Sequence, residues 1–568
     1  MFVKVTTSGG RRYVHLVESF RDTSGRVKKR TLASLGRHDH LDGGLDPLIN
    51  GLLKVTGRPA LGAPPLPPAP PTVTFESTRT LGEVWALTEL WTGLGLLALR
   101  GVFAKTRHRI DVEVLLRLMV FNRLCDPDSK LGVLRWLETV ALPGVELPRV
   151  THQHLLRSMD ALMDHHAAVE AVMASVLRPL IGQDLAVVFY DLTTIRAEGY
   201  STPRGDVRQF GMAKEGVIAQ QFLLGVVQTA DGLPIYHQVV DGNTAETTTL
   251  LPTLHTILAR FPTVRRVILV ADRGLLSLDN LAALQAVRLA SGQALEFILA
   301  VPGRRYAEFA EVLATFTPPG PGVTTEVIGE VAWQDWRLVV AHDPIRAAQQ
   351  TRCRNEQIQA LTAQADQWAN KLDQQDAGVT HRGRKLSDRG ATARFFQAVS
   401  EARLSRIIKV DLQGKLFSYH LDEAARAQAE LLDGKLLLVT NTPDLTAPDI
   451  VSRYKSLADI ERGFRVLKSE LEIGPVYHRL PDRIRAHAML CFLALILYRV
   501  MRQRLQAAQT GLSPERALEQ LRRIQYHQIR LNATQAVAGL STIHHEQAEV
   551  LKALNIKRPI AGPPLTLL

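Results

Sequence analysis

Cysteine is nearly missing from this chain. Three residues in 568, at positions 125, 353 and 491, lie far apart with no CxxC spacing. That excludes a disulfide framework and a cysteine-built zinc site, and it fits a reducing compartment. An apolar leader is also absent from the first twenty residues, so no signal peptide is expected. The longest apolar run, 488–498, is too short to span a bilayer and reads as a buried core helix, so no membrane partner is expected. What the chain does have is positive charge. A formal net charge of +12 favours a polyanionic partner, most simply nucleic acid. The hydrophobic share of 46% and charged share of 22% are ordinary for a globular protein. The length allows two to four domains with at least one sizeable core.

Residues 1–57 read as a small basic β-rich module, with strands at 2–5, 13–20 and 27–35 and a turn at 22–25. Residues 58–76 read as a stiff linker, because 58–72 contain seven prolines. Residues 77–180 carry helical periodicity and form the candidate DNA-binding domain; Thr151 starts one of its helices. From 181 to 301 the period changes. Strands are expected at 185–190, 217–228, 233–240, 267–271 and 295–301, with helices at 247–261 and 278–289. The resulting order, βββαβαβ, is that of a ribonuclease-H-like core, completed by helices in 451–505. Residues 302–450 read as a mixed, strand-containing insertion, with a helix whose stripe is Ile358, Leu361, Ala365, Trp368 and Leu372. Residues 506–568 read as a basic C-terminal tail with a helix starting at Ser513-Pro514. The fold class is therefore α/β.

Two of the expected strands end in aspartate, VVFYD at Asp191 and VILVAD at Asp272. In a ribonuclease-H-like sheet the first and fourth strands are parallel neighbours, so these carboxylates would stand side by side at the sheet rim, where ligands sit in open α/β sheets. Adjacent carboxylates repel and favour divalent cations between them. Two such ions, about 3.5–4 Å apart, can clamp the attacking and leaving oxygens of an in-line displacement. The third carboxylate is sought in the stretch 454–468, YKSLADIERGFRVLK. Read as one helix, it has an apolar face of Leu457, Ile460, Phe464, Leu467 and Leu471. Tyr454, Glu461 and Lys468 lie seven apart and share another face, drifting about 20° per step, with Arg465 flanking it. Glu470 and Glu472 compete with Glu461 but lack that register. A single aspartate at a strand end is commonly a turn or cap residue; Asp191, Asp272 and Glu461 in this element order favour a catalytic reading.

These residues resemble DDE transposases of bacterial insertion sequences. Tyr454, Glu461 and Lys468 match three of the four positions of the Y-x(2)-R-x(3)-E-x(6)-K signature of the insertion-sequence-4-like branch; the arginine position is Leu457. Further resemblance lies at 210–216, 241–246, 271–274 and 475–479, so it spans most of 1–505. It implies Asp191, Asp272 and Glu461 as catalytic and metal-binding residues for Mg2+, with two ions and Mn2+ able to substitute. It implies phosphate-binding roles for Tyr454 and Lys468, with Arg273, Arg462 and Arg465 as further DNA contacts. The expected reaction cuts the element's ends and joins the freed 3′-hydroxyl to target DNA. Expected partners are double-stranded DNA with terminal inverted repeats, target DNA, and a second copy of the chain in a synaptic homodimer. The expected location is the bacterial cytoplasm, at the nucleoid when DNA is bound. Alternatives are a ribonuclease-H-fold endonuclease without strand transfer, and a catalytically dead DNA-binding relative. Trp333 or Trp336 could stack on a flipped base, but core packing is the simpler expectation for both.

Overall fold

The computed structural model describes residues 1–40, 44–62, 73–107, 111–143, 150–181, 186–199, 205–212, 218–272, 278–316, 324–379, 385–531 and 535–559. The chain forms two compact units, one of residues 1–73 with 531–533 and one of the remainder.

The first unit is a three-stranded antiparallel meander, Phe2–Ser8, Arg11–Arg21 and Val27–Arg37, followed by the helix Asp46–Val55. Its second hairpin turns at Asp22, whose Oδ1 accepts from the backbone N–H groups of Ser24 and Arg26, while Gly25 takes a φ of 78° open to glycine. Only Val14 and Val17 of these strands are buried. Lys28 and Arg30 on the exposed face pair with Asp22 and Glu18. Residues 63–72 of the expected linker lie outside the described residues, and a strand, Val73–Thr80, occupies its last stretch.

The second unit is built on a nine-stranded mixed sheet. In chain order its strands are β1 (Ala186–Arg196), β2 (Gln209–Met212), β3 (Ile218–Thr229), β4 (Pro234–Asp241), β5 (Val267–Ala271), β6 (Glu296–Ala300), β7 (Val327–Trp333), β8 (Trp336–His342) and β9 (Lys435–Thr440). The spatial order is β7-β8-β9-β6-β5-β1-β3-β2, with β4 also paired to β3. Strands β1, β5 and β6 run parallel; all other pairs are antiparallel. Every residue of β5 is buried, as a parallel strand covered on both faces requires.

Helices cover the sheet. Those that matter below are α1 (Val112–Cys125), α2 (Lys130–Thr139), α3 (His152–Asp164), α4 (Leu250–Arg260), α5 (Ala447–Lys455), α6 (Ala458–Arg465) and α7 (Pro481–Ala507). The side chains of Asp111, Ser129 and Thr151 cap α1, α2 and α3 by accepting backbone N–H bonds. Helix α7 is 27 residues long and nearly all buried between Ile484 and Leu505. It packs on α1 and α3 on one side and on β4 on the other, where Phe492 stacks on His237 with ring centroids 4.4 Å apart. Burial brings His237 down to about 3, so it stays a neutral ring. By length and composition α7 could cross a membrane, but 94% of its apolar window is buried inside the protein.

Three regions differ from the sequence reading. The interval 302–450 was expected as an insertion of its own. Its strands β7, β8 and β9 instead extend the main sheet, because β9 pairs with β6. Among the described residues of this interval, only the helical hairpin Pro344–Asp376 and Asp388–Glu401, with the short strands Ile408–Val410 and Tyr419–Leu421, keeps a separate core. That core holds Ile358, Ala365, Phe395 and Val399, with Leu361 and Trp368 against it, along the expected stripe. Second, residues read as a tail fold back. Helix Pro514–Arg522 and helix His545–Ala553 bury Leu518, Leu521, Val550 and Leu551 in the main core, and strands Gln525–Leu531 and Gln535–Leu540 form a sheet with Val73–Thr80.

The third difference is the stretch 454–468, which is not one helix. Helix α5 ends at Lys455, α6 spans Ala458–Arg465, and a π-helical turn runs over Val466–Glu470. Tyr454, Glu461 and Lys468 therefore sit on three consecutive pieces, not on one face of a single helix. Of the expected apolar face, Leu457, Phe464, Leu467 and Leu471 are buried, and the Ile460 side chain lies outside the described residues.

Candidate active site

Strands β1 and β5 pair in parallel, with Tyr190 opposite Ala271 as the last matched pair. The next residue on each is an aspartate, so Asp191 and Asp272 are neighbours across the ladder. Side chains alternate along a strand. Tyr190 points to the face covered by α4, where its hydroxyl donates to Thr249 Oγ1 at 2.8 Å, and burial pushes its phenol up. Asp191 and Asp272 point to the opposite face, the one covered by α5 and α6. Both are half-buried.

Asp191 is not at the end of its strand, contrary to the sequence reading. β1 continues five residues further, to Arg196, held by antiparallel pairing to β3 in which Asp191 faces Val226. The strand that ends is β5, at Ala271. The carboxylates mark the point where the ladder between β5 and β1 ends. Asp191 Oδ1 accepts from the N–H of Leu192 at 2.7 Å.

The helix side supplies the rest. The hydroxyl of Tyr454, near the end of α5, donates to Asp272 Oδ1 at 2.7 Å. The sequence reading assigns this phenol to a DNA phosphate; in the structure its hydrogen bond goes to a carboxylate. Glu461 lies on α6, which packs against β1; its side chain is outside the described residues, as is the whole of Arg273. Helix α6 approaches the sheet closely at Gly463. A Cβ there would stand 2.6 Å from Gln228 Nε2 and 2.9 Å from an Arg499 terminal nitrogen, so a larger residue would require these side chains to shift.

Lys468 is exposed on the π-helical turn. It lines an open hollow of about 1060 Å3 that begins at Thr194, three residues past Asp191 on β1, and includes Arg196, Phe210 and Tyr477. Arg465 is exposed and Arg462 half-exposed on α6. The structure thus brings Asp191, Asp272 and Tyr454 together and places Lys468 along the same strand. Trp333 and Trp336 are elsewhere, on the hairpin β7–β8. Their ring centroids are 5.6 Å apart, and Phe309 lies 5.0 Å from Trp333. They pack against the main core.

Neighbouring carboxylates offer hard oxygen donors and gain from a cation between them, so this pair fits a divalent ion such as Mg2+. Among the described residues no group of three or more His, Cys, Asp or Glu side chains is gathered as a metal site; the Glu461 carboxylate is not among those side chains. The Tyr454 contact and the close approach at Gly463 were missed by sequence reasoning. The tyrosine had a visible signal, its spacing from Glu461, but no local pattern pairs it with a residue on β5.

Fold and site define an α/β protein whose paired carboxylates suit phosphate-ester chemistry. Residues 182–497, more than half of the chain, match the family profile described as Transposase DDE domain, and the chain belongs to that family. Residues 3–64 match a second profile, IS1634 family transposase, N-terminal domain. That match names IS1634, a different family from the insertion-sequence-4-like branch to which the 454–468 spacing was compared. No curated protein matches the chain. The family makes this a DNA-recombining protein of an insertion sequence, from a class that cuts and joins DNA.

Proposed function

We propose that the chain is a Mg2+-dependent transposase with a ribonuclease-H-like core, which frees a 3′-hydroxyl at each end of its element and joins it to target DNA. The observation that carries this reading is the parallel register of β1 and β5, which sets Asp191 beside Asp272 on the face under α5 and α6. Asp191, Asp272 and Glu461 hold the metal. When bound, the metal polarises the scissile phosphate and lowers the pKa of bound water. Tyr454 fixes the rotamer of Asp272 through its hydrogen bond. Lys468 supplies a point charge to a phosphate near the cut, and Arg462, Arg465 and Arg273 add DNA contacts.

The reaction comprises two displacements at phosphorus. Water attacks the phosphodiester at the element's end, the P–O3′ bond breaks, and the element keeps a 3′-hydroxyl. That hydroxyl then attacks a target phosphodiester, and a target 3′-hydroxyl leaves. The test is incubation of the purified full chain with Mg2+ and duplexes carrying the element's own ends beside a target plasmid. Joined products are expected, with none in EDTA. Nicks without joining would replace this reading with that of an endonuclease. Glu461→Gln is expected to abolish both products, and full activity in that variant would remove Glu461 from the site.

A further inference from the structure

A second hollow, of about 600 Å3, lies behind the strap of residues 474–477. The strap is tied to the end of β1: Val476 N–H donates to the Arg196 carbonyl at 3.0 Å, and Glu198 N–H donates to the Val476 carbonyl at 2.8 Å. Gly474, Pro475 and Tyr477 line both this hollow and the one holding Lys468. Tyr477 is 71% exposed on the ridge between them.

The floor of this crevice is cationic. Lys130, the first residue of α2, is only 6% exposed. Its Nζ lies 3.5 Å from His487 Nδ1. His487 Nε2 is 3.0 Å from the carbonyl of Ile473, so Nε2 carries the ring proton and Nδ1 accepts from the lysine. Arg123, also buried, donates to the carbonyls of Leu471, Glu472 and Asp128. The titratable neighbours acting on Lys130 are Arg123 and Cys491, with no carboxylate among them. Burial first, and Arg123 second, bring the Lys130 ammonium down to about 7. Burial, followed by Lys130 and its basic neighbours, brings His478 in the same crevice down to about 3. At the rim, the Asp128 carboxylate is held 2.9 Å from Arg135, and Glu472 and Arg479 are exposed.

A buried ammonium set beside a neutral imidazole and a guanidinium is costly, and an entering anion relieves that cost. The crevice is large enough for a phosphate group, and its donors suit one: a point-charge lysine beside a guanidinium. We propose that this crevice binds a phosphate of the DNA backbone, with Lys130 and Arg123 at its floor and Arg479 at its rim. It is a contact separate from the carboxylate site. The shared ridge favours DNA over a free anion, because a strand that leaves the Lys468 hollow across Tyr477 next meets this crevice. The proposal rests on the reading of the chain as a DNA-acting transposase, but it concerns binding and not cutting.

The experiment measures anisotropy of a labelled 30-bp duplex with the full chain over a salt series, for wild type, Lys130→Met and Arg479→Gln. Methionine keeps the length of the side chain and removes the buried charge, so a thermal midpoint equal to or above wild type is expected for Lys130→Met. Each phosphate contact contributes about 0.9 to the slope of log affinity against log salt. A slope shallower by about 0.9 is expected for Lys130→Met, and a smaller loss for Arg479→Gln. Slopes parallel to wild type in both variants would overturn the proposal. If Lys130→Met does not fold, the exposed Arg479→Gln variant decides alone. Inorganic phosphate is the control anion. Stabilisation by phosphate over chloride at equal ionic strength, with unchanged DNA slopes, would also overturn the proposal, because the crevice would then hold a small anion and not the backbone. Failure to cut DNA would strike the transposase reading and leave these slopes interpretable.

Discussion

The two sides of the site are built differently. The strand side is a ladder: Asp191 and Asp272 are fixed by parallel pairing of β1 with β5, and β1 is pinned on its other edge by β3. The helix side is segmented into α5, α6 and a π-helical turn, each carrying one of Tyr454, Glu461 and Lys468. A ladder sets the spacing of its residues through backbone hydrogen bonds. A segmented helix sets nothing by itself; its pieces are placed by what they pack on. On the helix side, placement rests on the close approach of α6 to the sheet at Gly463 and on the hydrogen bond from Tyr454 to Asp272.

The largest effect is expected on the strand side. Asp191→Asn or Asp272→Asn should lower end cleavage by at least about 10³-fold, the several kcal/mol that a metal-borne charge supplies to phosphoryl transfer. Without metal the same variants should melt no lower than wild type, because removing one of two adjacent carboxylates relieves repulsion. Calorimetry in EDTA beside a cleavage assay checks both. A large drop in melting temperature would mean that these aspartates serve the fold.

A smaller loss is expected on the helix side. Gly463→Ala places a methyl 2.6 Å from Gln228 Nε2 and 2.9 Å from Arg499. Either these buried side chains shift or α6 lifts from the sheet, and Glu461 moves with it. A displacement of about 1 Å at a catalytic group can cost about 10²-fold. Cleavage should fall by that order and duplex affinity by less, since the half-exposed Arg462 and exposed Arg465 side chains on the same helix can readjust while the buried contact at Gly463 cannot. Unchanged cleavage would show that the helix side tolerates movement and that the comparison is overdrawn.

Much of the strand side was legible in sequence, because short apolar runs bounded by turn residues mark strands, and element order alone made the first and fourth neighbours. The end of β1 was not legible: Asp191 interrupts the apolar run, yet pairing to β3 carries the strand on through Thr193, Thr194 and Ile195. The helix side was legible in identity but not in shape. Ser456 and Leu457, at the break between α5 and α6, keep right-handed helical dihedrals, with φ of −63° and −57°. Such a break uses no proline or glycine and leaves no mark in the sequence. Leu457 was rightly read as a packing residue in place of an arginine, and it is 5% exposed. The crevice at Lys130 was out of reach altogether. Arg123, Lys130, Arg479 and His487 come from distant parts of the chain, and only the packing of α7 against α1 and α3 assembles them.

The smallest effect should come from Tyr454→Phe, which keeps the ring and removes only the donor to Asp272. A hydrogen bond to a charged group contributes about 1.5–3 kcal/mol, but on the proposed reading the carboxylate would also face the metal, which would recover part of the orienting effect. The expected result is about a tenfold loss of cleavage at limiting Mg2+, shrinking as Mg2+ approaches saturation. That metal dependence separates the two roles open to this phenol. An orienting role acts through the Asp272 carboxylate, so excess metal offsets its loss. A direct phosphate contact acts on the substrate, so its loss would persist at every metal concentration and would appear as weaker binding of the element's end. A loss independent of Mg2+ would return Tyr454 to the DNA and leave Asp272 held by the ladder alone.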